Sequence, residues 1–258
     1  MFYAVVVLYN KKCAESTSLQ TLMKTDEISI TVFDNSTIEN ENNTYCRDND
    51  IVYYGFLKNM GLSYAYNYAI KRLDAKPNDI IIILDDDTQL GMNYFFALKN
   101  CSNRVDSDIF LPVVYAGEMI LSPSNSAWGG ISHRVKSLQE LKKSEITAIN
   151  SGMAIRFRVF QKIQYNENLF LDCVDHDFMN KVRENAFSIS VIDCIIKQNY
   201  SRQEKITEVQ FLNRFQIYKN DFKIYCRSRK IMWYYYLSIV YMKLGAATRY
   251  HKIDILWK

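Results

Sequence analysis

Residues Ile80 to Thr88 read IIIILDDDT, an uninterrupted run of five apolar residues that meets Asp85, Asp86 and Asp87. Isoleucine and leucine without polar alternation mark a central β-strand covered on both faces. The charge falls at the carboxyl end of that strand, the edge of an open α/β sheet where ligands bind. Adjacent carboxylates repel one another, and a cation offsets the cost of holding them together. In extended chain Asp85 and Asp87, at i and i+2, point to the same side, where they can hold a hard divalent ion that also takes phosphate oxygens. The simpler alternative is that one Asp caps a following helix and the others are solvated.

The flanking segments fit a sheet around this strand. Tyr3 to Leu8 (YAVVVL) predicts an opening strand, followed by Tyr9-Asn10 and a helix from about Ala14 to Met23. Ile28 to Phe33 predicts a second strand that ends in Asp34-Asn35-Ser36, small polar residues suited to a turn at the same edge. The polar stretch Glu39 to Asp50 reads as a loop. Asp50 to Tyr54 predicts a third strand, and Leu62 to Leu73 a helix, with Asn59 and Gly61 in the turn between them. This alternation is the pattern of a parallel nucleotide-binding sheet. Downstream, Met92 to Asn100 reads as helix and Ile109 to Val114 as strand, with Pro112 favouring an edge or a bulge.

The second half is less regular. Ser122 to Gly130 is turn-rich, and Trp128 within it either stacks on a sugar or anchors the loop. Ala148 to Phe157 is strand-like around Ser151-Gly152, where the absent side chain would let a substrate approach the backbone. In Asn168 to Glu184 (NLFLDCVDHDFMNKVRE), Val174, Phe178, Met179 and Val182 fall at helical spacing. Asp172 is placed as an N-cap there, with Asp175 three residues on as in a capping box. Asp175 and Asp177 would also complement the helix dipole. His133, His176 and His251 are isolated from one another, so no histidine-based metal site or triad is visible.

With 258 residues, 48% apolar, 8 Gly and 3 Pro, the chain suits one large domain or a domain with an appendage, and neither a disordered nor a collagen-like protein. Six cysteines without a CxxC pair read as reduced thiols. The opening MFYAVVVLYN lacks a basic n-region, and the expectation is a cytoplasmic protein. Charge is unevenly divided: residues 1–196 carry 19 Lys and Arg against 24 Asp and Glu, and residues 197–258 carry 13 against 4. An acidic body with a basic tail points to an anionic partner for the tail, phospholipid or nucleic acid. From Ile231 to Met242 the tail is aromatic and uncharged but too short to span a bilayer, which needs about 20 residues. It suits an interfacial helix, the alternative being a helix packed on the core.

In this order, Tyr9-Asn10, the Asp34-Asn35-Ser36 turn, Asn59, Gly61 and Asn67, LDDDT, Ser151-Gly152 and LFLDCVDHDFMNKVR resemble glycosyltransferase family 2, especially its rhamnosyltransferase-like branch. The resemblance covers about residues 3 to 220. It implies an α/β, GT-A type fold, a mostly parallel nucleotide-binding sheet flanked by helices, with a C-terminal helical basic and aromatic extension. The implied division is 1–196 as catalytic domain, with 1–90 holding the nucleotide sugar and 91–196 the acceptor, and 197–258 as the extension. Asp34 would contact the base, with Tyr9, Asn10, Asn59, Gly61, Asp85 and Asp86 along the nucleotide sugar. Asp85 and Asp87 would hold Mg²⁺ or Mn²⁺, and Asp175 would act as base. Trp128, Ser151, Gly152 and Asp172 would face the acceptor. Gln198 stands where that branch often has a histidine.

The implied reaction is inverting transfer from a nucleoside diphosphate sugar, dTDP-rhamnose first and UDP-hexose or UDP-galactofuranose as alternatives, to a glycan or lipid-linked glycan in cell-surface polysaccharide synthesis. The expected location is peripheral, on the inner face of the plasma membrane through the extension, with a homodimer as an option and nucleic acid ranked last. A haloacid dehalogenase phosphatase would place D-x-D on its first strand, and a receiver domain is half this length. A non-catalytic, membrane-associated nucleotide-sugar-binding protein shares every binding feature, and only turnover separates it from a transferase.

Overall fold

The computed structural model describes residues 1–25, 27–127, 132–198, 207–250 and 252. In chain order the first half is β1 (Phe2–Leu8), α1 (Thr17–Leu22), β2 (Ile28–Asp34), α2 (Asn42–Asp48), β3 (Val52–Gly55), α3 (Leu62–Ile70), β4 (Ile80–Asp85) and α4 (Met92–Arg104). The second is β5 (Ile109–Ala116), β6 (Met119–Ser122), β7 (Ser124–Ser126), β8 (Ser132–His133), β9 (Ile146–Thr147), β10 (Met153–Arg156), α5 (Phe157–Phe160), α6 (Val174–Glu184), β11 (Ile189–Lys197), α7 (Glu208–Ser228) and α8 (Met232–Tyr250).

The main sheet runs β11-β5-β10-β4-β1-β2-β3, with β6 pairing onto β5, and a small second sheet runs β8-β7-β9. β4 lies in the middle, parallel to β1 and antiparallel to β10. β1 with β2, β2 with β3, and β5 with β11 are also parallel, so the sheet is mostly parallel.

The apolar run of β4 is divided between the two faces of the sheet by the strand's period of two. Ile81 and Ile83 enter one core with Ala65 and Tyr66 of α3, Phe178 and Val182 of α6, and Phe215, Phe222 and Tyr225 of α7. Ile80, Ile82 and Leu84 enter the other with Leu19 and Leu22 of α1, Cys46 of α2, and Tyr94 and Leu98 of α4. α7 therefore packs on the same core as the sheet, and Tyr235 and Ile239 of α8 join it.

Three segments differ from their sequence reading. Residues 42–48, within the expected loop, form α2, whose Cys46 is buried beneath polar neighbours that hide it from any periodicity. Ser151-Gly152 precedes β10 in a turn with Gly152 at φ 80. Asp172 is not the cap of α6: that position is Cys173, in the left-handed region at φ 61, with no side-chain cap bond. Pro112 sits inside the sheet, in β5, opposite the place where the register of β11 shifts between Val191 and Ile195. The missing N–H of proline is accommodated where the ladder is already interrupted.

Candidate active site

β4 delivers Asp85 to the carboxyl edge of the sheet, after which the chain turns at Asp86-Asp87. The two outer carboxylates thus do not share a side through extended alternation, yet both line one cleft of about 400 Å³. Asp175, in the first turn of α6, lines it as well, together with Asn150, Ser151, Gln198 and Arg214. The helix-capping alternative for the triple aspartate does not occur, since α4 starts at Met92 with Gly91 as its N-cap and no side-chain cap bond. Another cleft, of about 570 Å³, opens at the amino ends of β1, β2 and β4 around Phe2, Ile28 and Ile80, away from the acidic cluster.

Asp85 is held by two hydroxyls: Tyr66 donates to its Oδ1 and Ser151 to its Oδ2, each at 3.2 Å. Burial pushes its carboxyl up to about 6, the Asp87 charge adds to this, and the two hydroxyls oppose it. The acidic turn is stapled from behind by α1. Ser18 donates to the carbonyls of Asp85 and, at 3.0 Å, Thr88, and Ser16 donates to that of Asp86 at 2.8 Å. Asp86 turns to Lys11 at 3.3 Å; burial raises its carboxyl and the lysine charge opposes the rise.

The other expected nucleotide residues lie along the same edge without lining the cleft. Asp34 ends β2, buried, with Oδ2 accepting from Asn40, Asn42 and Tyr53 and Oδ1, among the described residues, only from the Ser36 N–H at 2.9 Å. Tyr9 is exposed, and Asn10 binds the Thr37 N–H through its side chain at 2.9 Å. Asn59 accepts from the Gly61 N–H at 3.0 Å. Gly61 has φ 84, and a Cβ there would stand 2.7 Å from the Phe170 ring, so glycine is required where α3 meets the segment before α6.

The acceptor-side expectations divide. Ser151 is in the cleft, beside Asp175, the expected base. Gly152 is not open to a substrate: the space its side chain would take is filled by Ile196 at 2.7 Å and Pro112 at 3.3 Å. Asp172 is engaged by Arg214 through both terminal nitrogens of the guanidinium. Trp128 lies outside the described residues.

Sequence reasoning missed Tyr66, Arg214 and Asp221. Asp221 of α7 is buried and accepts the backbone N–H groups of Phe170, Leu171 and Asp172 at 2.9, 2.7 and 2.8 Å. A lone Asp between apolar helical positions, in NDFKIYC, was the available signal, because a charge on a buried helix face requires partners.

Gln198 bears on whether the cleft fits a cation. Its Oε1 is buried without a hydrogen-bond partner among the described residues, and Gln198 lines the cleft with Asp85 and Asp87. An orphaned amide oxygen near two carboxylates is a donor set suited to a hard divalent ion. Among the described residues no three His, Cys, Asp or Glu side chains converge as a ready-made cage. The fit is therefore partial from the protein and leaves positions for ligand oxygens.

No protein-family model matches the sequence, and no curated protein matches it. Solved structures do. The crystal structure of S. aureus TarS 1-349 aligns with TM-score 0.55 and 18% identity over 77% of this chain and 60% of that one. That protein in complex with UDP-GlcNAc aligns with TM-score 0.55 and 15% identity over 84% and 64%. GalNAc-T7 with UDP, GalNAc and Mn²⁺ aligns with TM-score 0.57 and 15% identity over 78% and 44%. The chain thus spans less than two thirds of each of these structures. At such identities the likeness is one of architecture, and it establishes the expected α/β fold of GT-A type, a mostly parallel sheet flanked by helices.

Proposed function

We propose that this chain is an inverting glycosyltransferase that moves a sugar from a nucleoside diphosphate donor to a hydroxyl of a glycan or lipid-linked glycan. The observation that carries the reading is the convergence of Asp85 and Asp87, from the end of a central strand, with Asp175, from a separate helix, in one cleft. Transfer needs those two functions apart: negative charge to gather a cation and phosphates, and an independent base for the acceptor.

Asp85, Asp87 and the amide oxygen of Gln198 would hold Mg²⁺ or Mn²⁺. The bound cation would stabilise charge developing on the departing diphosphate. Tyr66 and Ser151 orient the Asp85 carboxylate, and Ser16 and Ser18 hold the turn that carries Asp86 and Asp87. Asp34, with one oxygen bonded by a single donor, is the contact for the base. Asp175 takes the acceptor hydroxyl's proton as that oxygen bonds to the anomeric carbon and the carbon–diphosphate bond breaks on the opposite face. A single displacement of this kind inverts the anomeric configuration.

The family resemblance favours dTDP-rhamnose as donor, with UDP-hexose or UDP-galactofuranose as the alternative. The ligands in the TarS and GalNAc-T7 structures favour the uridine side of that choice. A panel of nucleotide sugars with Mn²⁺, followed by thermal shift, tests the donor, and nucleoside diphosphate release from the stabilising donor tests transfer. Stabilisation by none of them overturns the reading; stabilisation with no transfer to any glycan acceptor leaves a binding protein.

A further inference from the structure

α8 buries one face and exposes the opposite one. Tyr235, Ile239 and Ala246 are buried, and Met232, Tyr234 and Met242 pack against the core. Trp233, Tyr236, Leu237, Val240, Tyr241 and Leu244 are each more than half exposed. Their spacing of i, i+3, i+4, i+7, i+8 and i+11 places all six on one stripe of the helix. Isolated exposed apolar residues need no explanation, but a continuous stripe on the outside of the molecule marks an interaction surface.

We propose that this stripe docks the protein on an anionic phospholipid surface, with α8 lying in the plane of the headgroups. The charge around it selects this occupant. From Arg227 to Lys258 the chain carries seven Lys and Arg against one Asp, so cations and apolar residues neighbour one another in the sequence. Arg227 and Lys230 are exposed just before the helix, and Arg249 is exposed near its end. Two copies meeting stripe to stripe would bring these cations against each other, whereas an anionic bilayer neutralises them. The composition of the stripe agrees: tryptophan and tyrosine suit the headgroup level, and Leu237, Val240 and Leu244 suit the acyl boundary. Among the described residues no helix is long and apolar enough to cross a membrane.

The docking does not depend on the proposed catalysis, and the path of α8 leads from the exposed stripe towards the cleft. α8 runs back along α7, with Tyr250 against Phe211 at 5.6 Å and Lys252 paired with Glu208. The end of α8 beyond the stripe thus returns to within one helical turn of Arg214, which lines the cleft. A lipid-linked acceptor on the docked surface would enter from that side.

The test is flotation of the full chain with vesicles of phosphatidylcholine alone or with phosphatidylglycerol added. Binding is expected to the mixed vesicles, weaker at high salt without vanishing, and much less to the neutral ones. Leu237→Glu with Val240→Glu, both on the exposed face, should lower affinity for mixed vesicles at least tenfold at unchanged melting temperature. If that pair destabilises the fold, Lys230→Glu replaces it and should reduce only the salt-sensitive part of binding. No binding to mixed vesicles at low salt overturns the proposal, as does unchanged binding by the folded double variant. It is also overturned by a full-length dimer that the double variant turns to monomer without losing vesicle binding, since the stripe is then the contact between copies.

Discussion

Arg214 of α7 clasps Asp172 through both terminal guanidinium nitrogens, across 42 residues of chain. Two turns further along α7, Asp221 accepts the N–H groups of Phe170, Leu171 and Asp172. One helix therefore holds, by a cation and a carboxylate, the segment that leads into Asp175. Bidentate arginine–carboxylate pairs and carboxylates receiving several N–H groups are among the stronger polar contacts available, so Asp175, the proposed base, is positioned from behind.

Asp221→Asn is expected to lower stability by about 3 kcal/mol, because an amide cannot accept all the N–H groups now bonded to the carboxylate, and orphaned buried donors carry their full desolvation cost. Urea unfolding measures it. A shift within error would mean that the segment before α6 finds other partners.

Asp85 gives the protein a pH signature. Its carboxyl, ordinarily at 3.8, is pushed up to about 6, so the folded state holds this proton more tightly than the unfolded chain. The resulting penalty is full above about pH 6 and disappears as pH falls towards 4, worth up to about 3 kcal/mol. In chelator, Asp85→Asn should therefore be more stable than the parent at neutral pH and lose that advantage on acidification. Parallel melting curves of the two proteins from pH 4 to 7 would show that the site does not raise this group.

Asp87 is exposed, so Asp87→Asn removes charge at the proposed metal site and not core packing. The variant should melt with the parent while losing metal-dependent binding of nucleoside diphosphate. Calorimetry of UDP with and without Mn²⁺ decides this, and undiminished binding would sink the metal assignment.

Asp175→Asn should keep donor affinity and lose roughly a hundredfold or more in turnover, the scale of a lost general base. The structure leaves no capping box for Asp175 to serve, as Cys173 occupies the cap. A variant that loses stability while keeping its rate would assign Asp175 to the helix dipole instead.

Much of the sheet was legible before any coordinates, because strand signals are local. The β-branched runs of β1, β2, β4 and β5 need only their own composition to declare burial, and IIIILDDDT declares both a central strand and an acidic carboxyl end. The turn carrying Asn59 and Gly61 was likewise marked by its own residues. α2 was hidden because its polar sequence has no apolar period, and one buried cysteine does not make one.

Partnership across the chain was not local and only folding decided it. Asp172 reads as a helix cap by spacing, yet Arg214 and the N–H bond to Asp221 claim it, and the cap passes to Cys173. Tyr66 and Ser151 meet on Asp85 although 85 residues of chain separate them from one another, a meeting that no short-range pattern encodes. Gly152 reads as room for a substrate, but Ile196 and Pro112 fill that room. Sequence alone determined which segments are buried strands and where negative charge concentrates, since hydrophobicity and β-propensity act residue by residue. Tertiary structure decided which carboxylates share the cleft, what holds them there and which face of α8 remains exposed, because those depend on packing between elements distant in the chain.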